Sequence, residues 1–345
     1  MSVGLDGRVH TTFSHNPSSL RFSSSAPNLQ QIPRGGGLGR CVKEIFVAPP
    51  GYLFYERDFS AIEAVLVGYF AGAPDYIRFA KLGVHAYLAS HIAGRPAALE
   101  WSDVDLRAYF KELKRVEPVA YDTAKRVVHM SNYMGTPRRM HYEYPETFRT
   151  IKAAATLQGL YFDLFPAIPK WHRDICVQVD GTKRRSGDEG ERVDPWTLGV
   201  CSVRNPFGYV HRFYNVLDWE KIPAGQTEAG EVTYAWSWKF GEDAKRLVSN
   251  LPQSTAAGII KRAAKRIWYD FPWVGETLRL LIHDSIFGEE REELVDECLK
   301  VSKIVMEEPI LELPLDPTWG LGEHLTIGTE SKVGRSWADM HPVGA

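Results

Sequence analysis

Residues 52–70, YLFYERDFSAIEAVLVGYF, form a stretch that should bury itself, yet Glu56, Arg57, Asp58 and Glu63 interrupt its apolar run. YLFYERDF predicts a strand, and AIEAVLVGYFAGA predicts a helix that is apolar on nearly every side. Upstream, the first forty residues are polar, rich in Ser, Asn and Gly, and end in PRGGGLGR, which reads as irregular structure with short strands. CVKEIFVAP reads as a strand joined to YLFYERDF through the turn PPGY. GVHAYLASHIAG is a second helical pattern, stopped by Gly94. From roughly 100 to 175 the pattern is mostly helical and basic, with stops near Pro118, Pro137 and Pro166.

GTKRRSGDEGERVDPWTLG, residues 181–199, has many charges and few apolar positions, and predicts an exposed loop or insertion. VRNPFGYVHRFYNV predicts a hairpin turning near NPFG. A long helix is expected over about 241–269, with Pro252 threatening a kink or break. LRLLIHDSIFGEE, residues 278–290, is the second acidic interruption of a strongly apolar run, with His283 and Asp284 placed as the tip of a tight hairpin. A regular helix in REELVDECLKVSKIVMEE and a strand around HLTIGTE close the chain. Helix and strand mix without a βαβ rhythm, so the expected class is α+β.

With 345 residues and 44% apolar content, the chain can bury a sizeable core. Its four cysteines, at 41, 176, 201 and 298, make no CxxC pair, which argues against a disulfide framework or a structural zinc. Met1 leads into no apolar signal segment and no run is long enough for a membrane span, so a cytoplasmic protein is expected, in the host cytoplasm if phage-encoded. A formal net charge of −2 argues against a general nucleic-acid coat. The basic residues nevertheless cluster, in KELKR (111–115), AKR (124–126), PRR (137–139), KRR (183–185) and KRAAKR (261–266).

If the strands bearing Asp58 and Asp284 are neighbours, their carboxylates converge. Two like charges in a partly desolvated site repel unless hard cations compensate them, and magnesium suits an all-oxygen ligand set. Ordinary acidic residues at strand ends, each paired with arginine, are the alternative. Lys125, His129 and Tyr133 recur at four-residue steps and share one helical face. Such a face can hold a triphosphate and a ring, or can simply be solvated.

These segments together carry a resemblance. DFSAIE (58–63), AKRVVHMSNYMG (124–135) and LIHDS (281–285) resemble the first palm motif, the fingers helix and the second catalytic motif of family A DNA polymerases, the bacterial polymerase I type, with a bacteriophage flavour. LRFSSSAPNLQQIP (20–33) and LPQSTAAGII (251–260) resemble that family's primer- and template-tracking segments. The resemblance implies an antiparallel palm with an inserted helical fingers domain and no thumb of its own. It implies palm over 1–84, fingers over 85–245 and palm again over 246–345. It also implies that Asp58 and Asp284, with the backbone carbonyl of Phe59, hold two Mg²⁺ ions, for which Mn²⁺ can substitute. Glu63 would exclude a ribose 2′-hydroxyl and pair with Tyr133. Lys125 would bind the triphosphate of the dNTP and protonate the leaving pyrophosphate. His129 would lie against the nucleotide, Tyr133 at the base of the fingers helix, and His85 at the triphosphate. Arg21 and Gln253 would read the minor groove of primer-template DNA, and His283 would support the primer terminus.

Departures from the family pattern are specific. Tyr121 stands where the family has an arginine four residues before its lysine, so one phosphate contact is missing or supplied elsewhere. A shifted register would instead pair Lys125 with that arginine, His129 with the lysine and Tyr133 with the family's aromatic residue. Ser285 replaces an acidic residue after the catalytic aspartate, and PFGYVHRF carries less charge than the usual template-gripping cluster. The expectation is a DNA polymerase catalytic part needing a separate thumb-bearing protein. A non-enzymatic replication scaffold and a single-subunit RNA polymerase fragment are its rivals.

Overall fold

The computed structural model describes residues 3–14, 20–33, 37–179, 201–227 and 230–343. The insertion expected at 181–199 lies outside them. Two compact units divide the chain, one of Met1–Leu66 with Gln253–Ala345 and one of Val67–Pro252. Their boundaries fall inside the helices Ile62–Phe70 and Ala244–Asp270, not at 84/85 and 245/246.

The first unit is built on a five-stranded sheet in the order His341–Pro342, Thr329–Gly334, Tyr52–Phe59, Ser285–Arg291, Leu278–Ile282. Every neighbouring pair is antiparallel, as the α+β class requires. Side chains alternate across Tyr52–Phe59. Phe54 faces a cluster with Phe287, Ile282, Leu29, Ala48 and Trp337. Burying each such side chain contributes roughly 1.5–3 kcal/mol.

Tyr55, Arg57 and Phe59 face the other way, toward the helix Val295–Met306. Arg57 explains one of the charges that interrupt the apolar run. It is only 5% exposed, and its guanidinium donates to Ser302 Oγ (3.0 Å), Leu299 O (2.9 Å) and Thr329 Oγ1 (2.8 Å). Tyr55 is fully buried opposite Gly288, where a Cβ would collide with the tyrosine ring, so the strand partner has to be glycine.

The expected hairpin is present: Leu278–Ile282 and Ser285–Arg291 pair around His283–Asp284, with His283 at a left-handed φ of 54°. One expected strand is not. GLGRCVKE forms the helix Gly37–Glu44, clasped by an Arg40–Glu44 pair one turn apart, and only Val47 bridges to another segment, at Ser336. The apolar part of CVKEIFVAP is too short to override that local helix. Pro252 does not break its helix, which runs from Ala244 to Asp270.

The second unit is helical: Pro74–Leu82, Val84–Ile92, Asp103–Val116, Pro118–Asn132, Pro137–Glu143, Ile151–Leu164 and Ala167–Val179. Pro118 and Pro137 open helices, because a residue at the first helical position needs no N–H partner. Ser102, Thr136 and Thr150 cap three of the N-termini. After the helices come the predicted hairpin, Cys201–Arg204 with Val210–Phe213, and a longer two-stranded ribbon, Leu217–Gln226 with Val232–Phe240. Among the described residues, no helix is long and apolar enough to cross a membrane.

Candidate active site

In the first unit, Asp58 is the last but one residue of its strand and stands opposite Ser285 on one side and Glu330 on the other. The next residue, Phe59, donates its backbone N–H to Asp284 O at 3.2 Å, so the two aspartates stand on joined strand ends. Ser285 Oγ donates to Glu56 Oε1 at 3.0 Å, which partners another of the interrupting carboxylates. Glu63 lies in the first turn of the helix Ile62–Phe70. The cation opposite the acids is Arg21: its Nη2 donates to Asp284 Oδ1 and Oδ2, at 3.1 and 3.2 Å, and to Glu63. Burial pushes the Asp284 carboxyl up, and Glu63 adds to this, while Arg21 and His283 oppose it.

The segment carrying Arg21 is tied to the hairpin by Gln30 Nε2, which donates to Leu281 O at 2.7 Å. Lys261 covers the Phe22 ring at 4.7 Å. His283 is exposed at the hairpin tip, and Gln253 is half-buried on the long helix.

Among the described residues, no group of three or more His, Cys, Asp or Glu side chains gathers to hold a metal. The donor chemistry is nevertheless that of a hard cation. Two aspartates on joined strand ends offer carboxylate oxygens, and the Arg21 guanidinium already stands in as the positive charge on Asp284.

In the second unit, Lys125 and His129 are exposed on the helix Pro118–Asn132, and Tyr133 caps it, 8% exposed. The His129 and Tyr133 rings meet edge to face at 5.6 Å. His85 lies edge-on to Tyr121 at 6.2 Å. Its pKa is lowered to about 4, first by burial and then by Lys125, His129 and Lys114, so it is a neutral imidazole among cations. Lys114 sits over the Tyr121 ring at 5.1 Å. The sequence flagged Lys114 only as part of a basic run.

The end of this helix is fixed from beneath by a polar network that the sequence did not reveal. Asn132 Nδ2 donates to Tyr76 Oη at 2.9 Å, Asn132 Oδ1 accepts from Tyr161, and Asn132 O accepts from His172 Nε2 at 3.0 Å. Gln158 Nε2 donates to Gly135 O at 2.7 Å. Met134 turns the chain at a φ of 55°, and Gly135 follows so close to Met130 O that a Cβ would lie 2.7 Å from it. Such satisfied buried networks hold side chains in one arrangement.

Residues 1–185 match the profile of DNA polymerase family A, more than half of the chain, and the chain belongs to that family. It is 26% identical over 322 residues to the thermostable DNA polymerase I of Thermus aquaticus, which covers 92% of this chain and 32% of the relative. It is 26% identical over 343 residues to DNA polymerase I of Pseudomonas aeruginosa, covering 97% and 30%. It therefore spans about a third of the length of these relatives. The fold matches the POL domain of Pol1 from M. smegmatis, solved in complex with DNA primer-template and dNTP. The TM-score there is 0.65 at 21% identity, over 98% of this chain and 49% of that one. The fold is thus the mixed helix-and-sheet fold of a polymerase POL domain. The named relatives are bacterial, so these likenesses carry the family and not a phage branch of it.

Proposed function

We propose that the chain is the catalytic part of a template-directed DNA polymerase, which adds deoxynucleotides to a primer 3′-hydroxyl and releases pyrophosphate. The observation that carries this reading is the acidic pair: Asp58 and Asp284 on joined strand ends, with a cation already drawn onto Asp284. Asp58, Asp284 and the Phe59 carbonyl would hold two Mg²⁺ ions, or Mn²⁺ in their place. Held there, such a pair of ions would supply the charge that lowers the pKa of an attacking hydroxyl and neutralises a leaving oxygen.

The chain's own groups do the rest by position and charge. Lys125, with His85 and His129 beside it, binds the triphosphate, and Lys114 supplies charge that the replaced arginine would have given. In the transfer, the bond from the primer oxygen to the α-phosphorus forms as the bond to the pyrophosphate breaks, and the primer hydroxyl gives its proton to solvent water. Protonated Lys125 gives its proton to the departing pyrophosphate oxygen. Glu63 crowds the sugar's 2′ position, and Tyr133 lies at the templating end of the helix. Arg21 exchanges its carboxylate partners for the minor groove of the primer end, where base acceptors are largely shared among pairs. Gln253 reads the template side, and His283 supports the primer terminus. A protein surface that clasps the duplex as a thumb, on a separate chain or on the same polypeptide, completes the proposal.

Single-nucleotide incorporation tests it. With a defined primer-template and Mg²⁺, the chain should add only the complementary dNTP and release one pyrophosphate per addition. Addition without regard to the template base, or none with saturating DNA, would reject the reading.

A further inference from the structure

The ribbon Leu217–Gln226 with Val232–Phe240 plays no part in the chemistry proposed above. Along its second strand Val232, Tyr234, Trp236, Trp238 and Phe240 recur at every second position and therefore share one face. Tyr234 is 62% exposed, Trp236 48% and Phe240 40%, so the row of rings faces solvent. Opposite Trp236 stands Lys221, with Nζ 5.3 Å from the indole centroid. The acids of the paired strands lie on the other face. There Asp218 pairs in register with Lys239, and Glu220 with Ser237, while Lys239 Nζ reaches Glu220 Oε2 at 3.0 Å. Charge is thus sorted, with rings and a lysine on one face and carboxylates on the other.

We propose that this aromatic face is a stacking platform for single-stranded DNA, the unpaired template being its occupant if the polymerase reading holds. Alternate residues of a strand lie about 6.6–6.8 Å apart. Successive rings can therefore each take one base of an extended strand, and every base has a face to stack. Lys221 provides charge for the backbone, and among the described residues of the two strands no carboxylate shares its face. A protein partner fits less well. An aromatic side chain has 150–250 Å² to bury, so the exposed parts of Tyr234, Trp236 and Phe240 sum to roughly 300 Å². That is well below the ~800 Å² per partner of a stable protein interface.

The test is fluorescence anisotropy of a labelled oligo(dT) strand with the full chain. The double substitution Tyr234→Ala and Trp236→Ala removes two half-exposed rings and should weaken binding about 10- to 100-fold. Tyr234→Phe with Trp236→Phe should stay within a few-fold of the unsubstituted chain. Dependence on salt should be shallow, because stacking dominates over phosphate contact. Equal oligo(dT) affinity in the alanine variant would overturn the proposal. So would a change in its sedimentation with no change in oligo(dT) affinity, since that would mark the face as a protein interface. Extension across a one-nucleotide overhang should be unaffected by the alanine variant. Failure of the unsubstituted chain in that assay would reject the polymerase reading and leave the anisotropy result standing.

Discussion

Arg21 and Glu63 are partners in the structure, and each has a proposed role toward substrate. Arg21 is expected from sequence to read a minor groove, and in the structure its guanidinium bridges Glu63 and Asp284. In the proposed function the same cation would leave the acids for the nucleic acid. Glu63, at the start of its helix, is the residue proposed to choose between sugars. Glu63→Ala should therefore relax the preference for dNTP over rNTP by about 10- to 100-fold, the scale at which pocket crowding discriminates small groups. Steady-state incorporation of both substrates opposite one template base measures it. An unchanged ratio would remove Glu63 from that role.

At the scale of elements, the hairpin bearing Asp284 was legible because two apolar runs flank a two-residue polar tip, a local signal. The helix Gly37–Glu44 was not, since CVKEIFVAP looks strand-like and the Arg40–Glu44 clasp is easily passed over. The ribbon went unpredicted although its period-two row of rings, from Val232 to Phe240, is plain in the sequence. The network under the helix Pro118–Asn132 lies beyond local reading, because Tyr76, Asn132, Tyr161 and His172 meet only in the fold.

That network has a pH signature. Burial lowers the His172 pKa to about 4, against an ordinary value of 6.5. The unfolded chain therefore takes up the proton first as pH falls. Stability due to the neutral imidazole is complete above about 6.5 and is lost progressively down to about 4, on the order of 3 kcal/mol in all. His172→Gln keeps a donor for Asn132 O and cannot titrate, so it should flatten the fall in unfolding free energy between pH 6.5 and 4. An identical pH slope in the variant and the unsubstituted chain would show that His172 is not the group responsible.

For the whole molecule, the order of motifs along the chain makes the family readable from the amino-acid sequence, and the sheet topology sets the strand end that carries Asp58 beside the hairpin turn that carries Asp284. A net charge of −2 supplies no long-range attraction for DNA, so in the proposed function grip on a duplex would have to come from local cations such as Arg21 and Lys261 and from further clasping surface. Nucleotide transfer as proposed needs the two aspartates to act as a pair. Primer extension in Mg²⁺ by Asp58→Ala and Asp284→Ala, each checked for an unchanged unfolding midpoint, is its most direct measurement. The predicted result is loss of extension by about a thousandfold or more in either variant. Extension at the unsubstituted rate by either folded variant would contradict it.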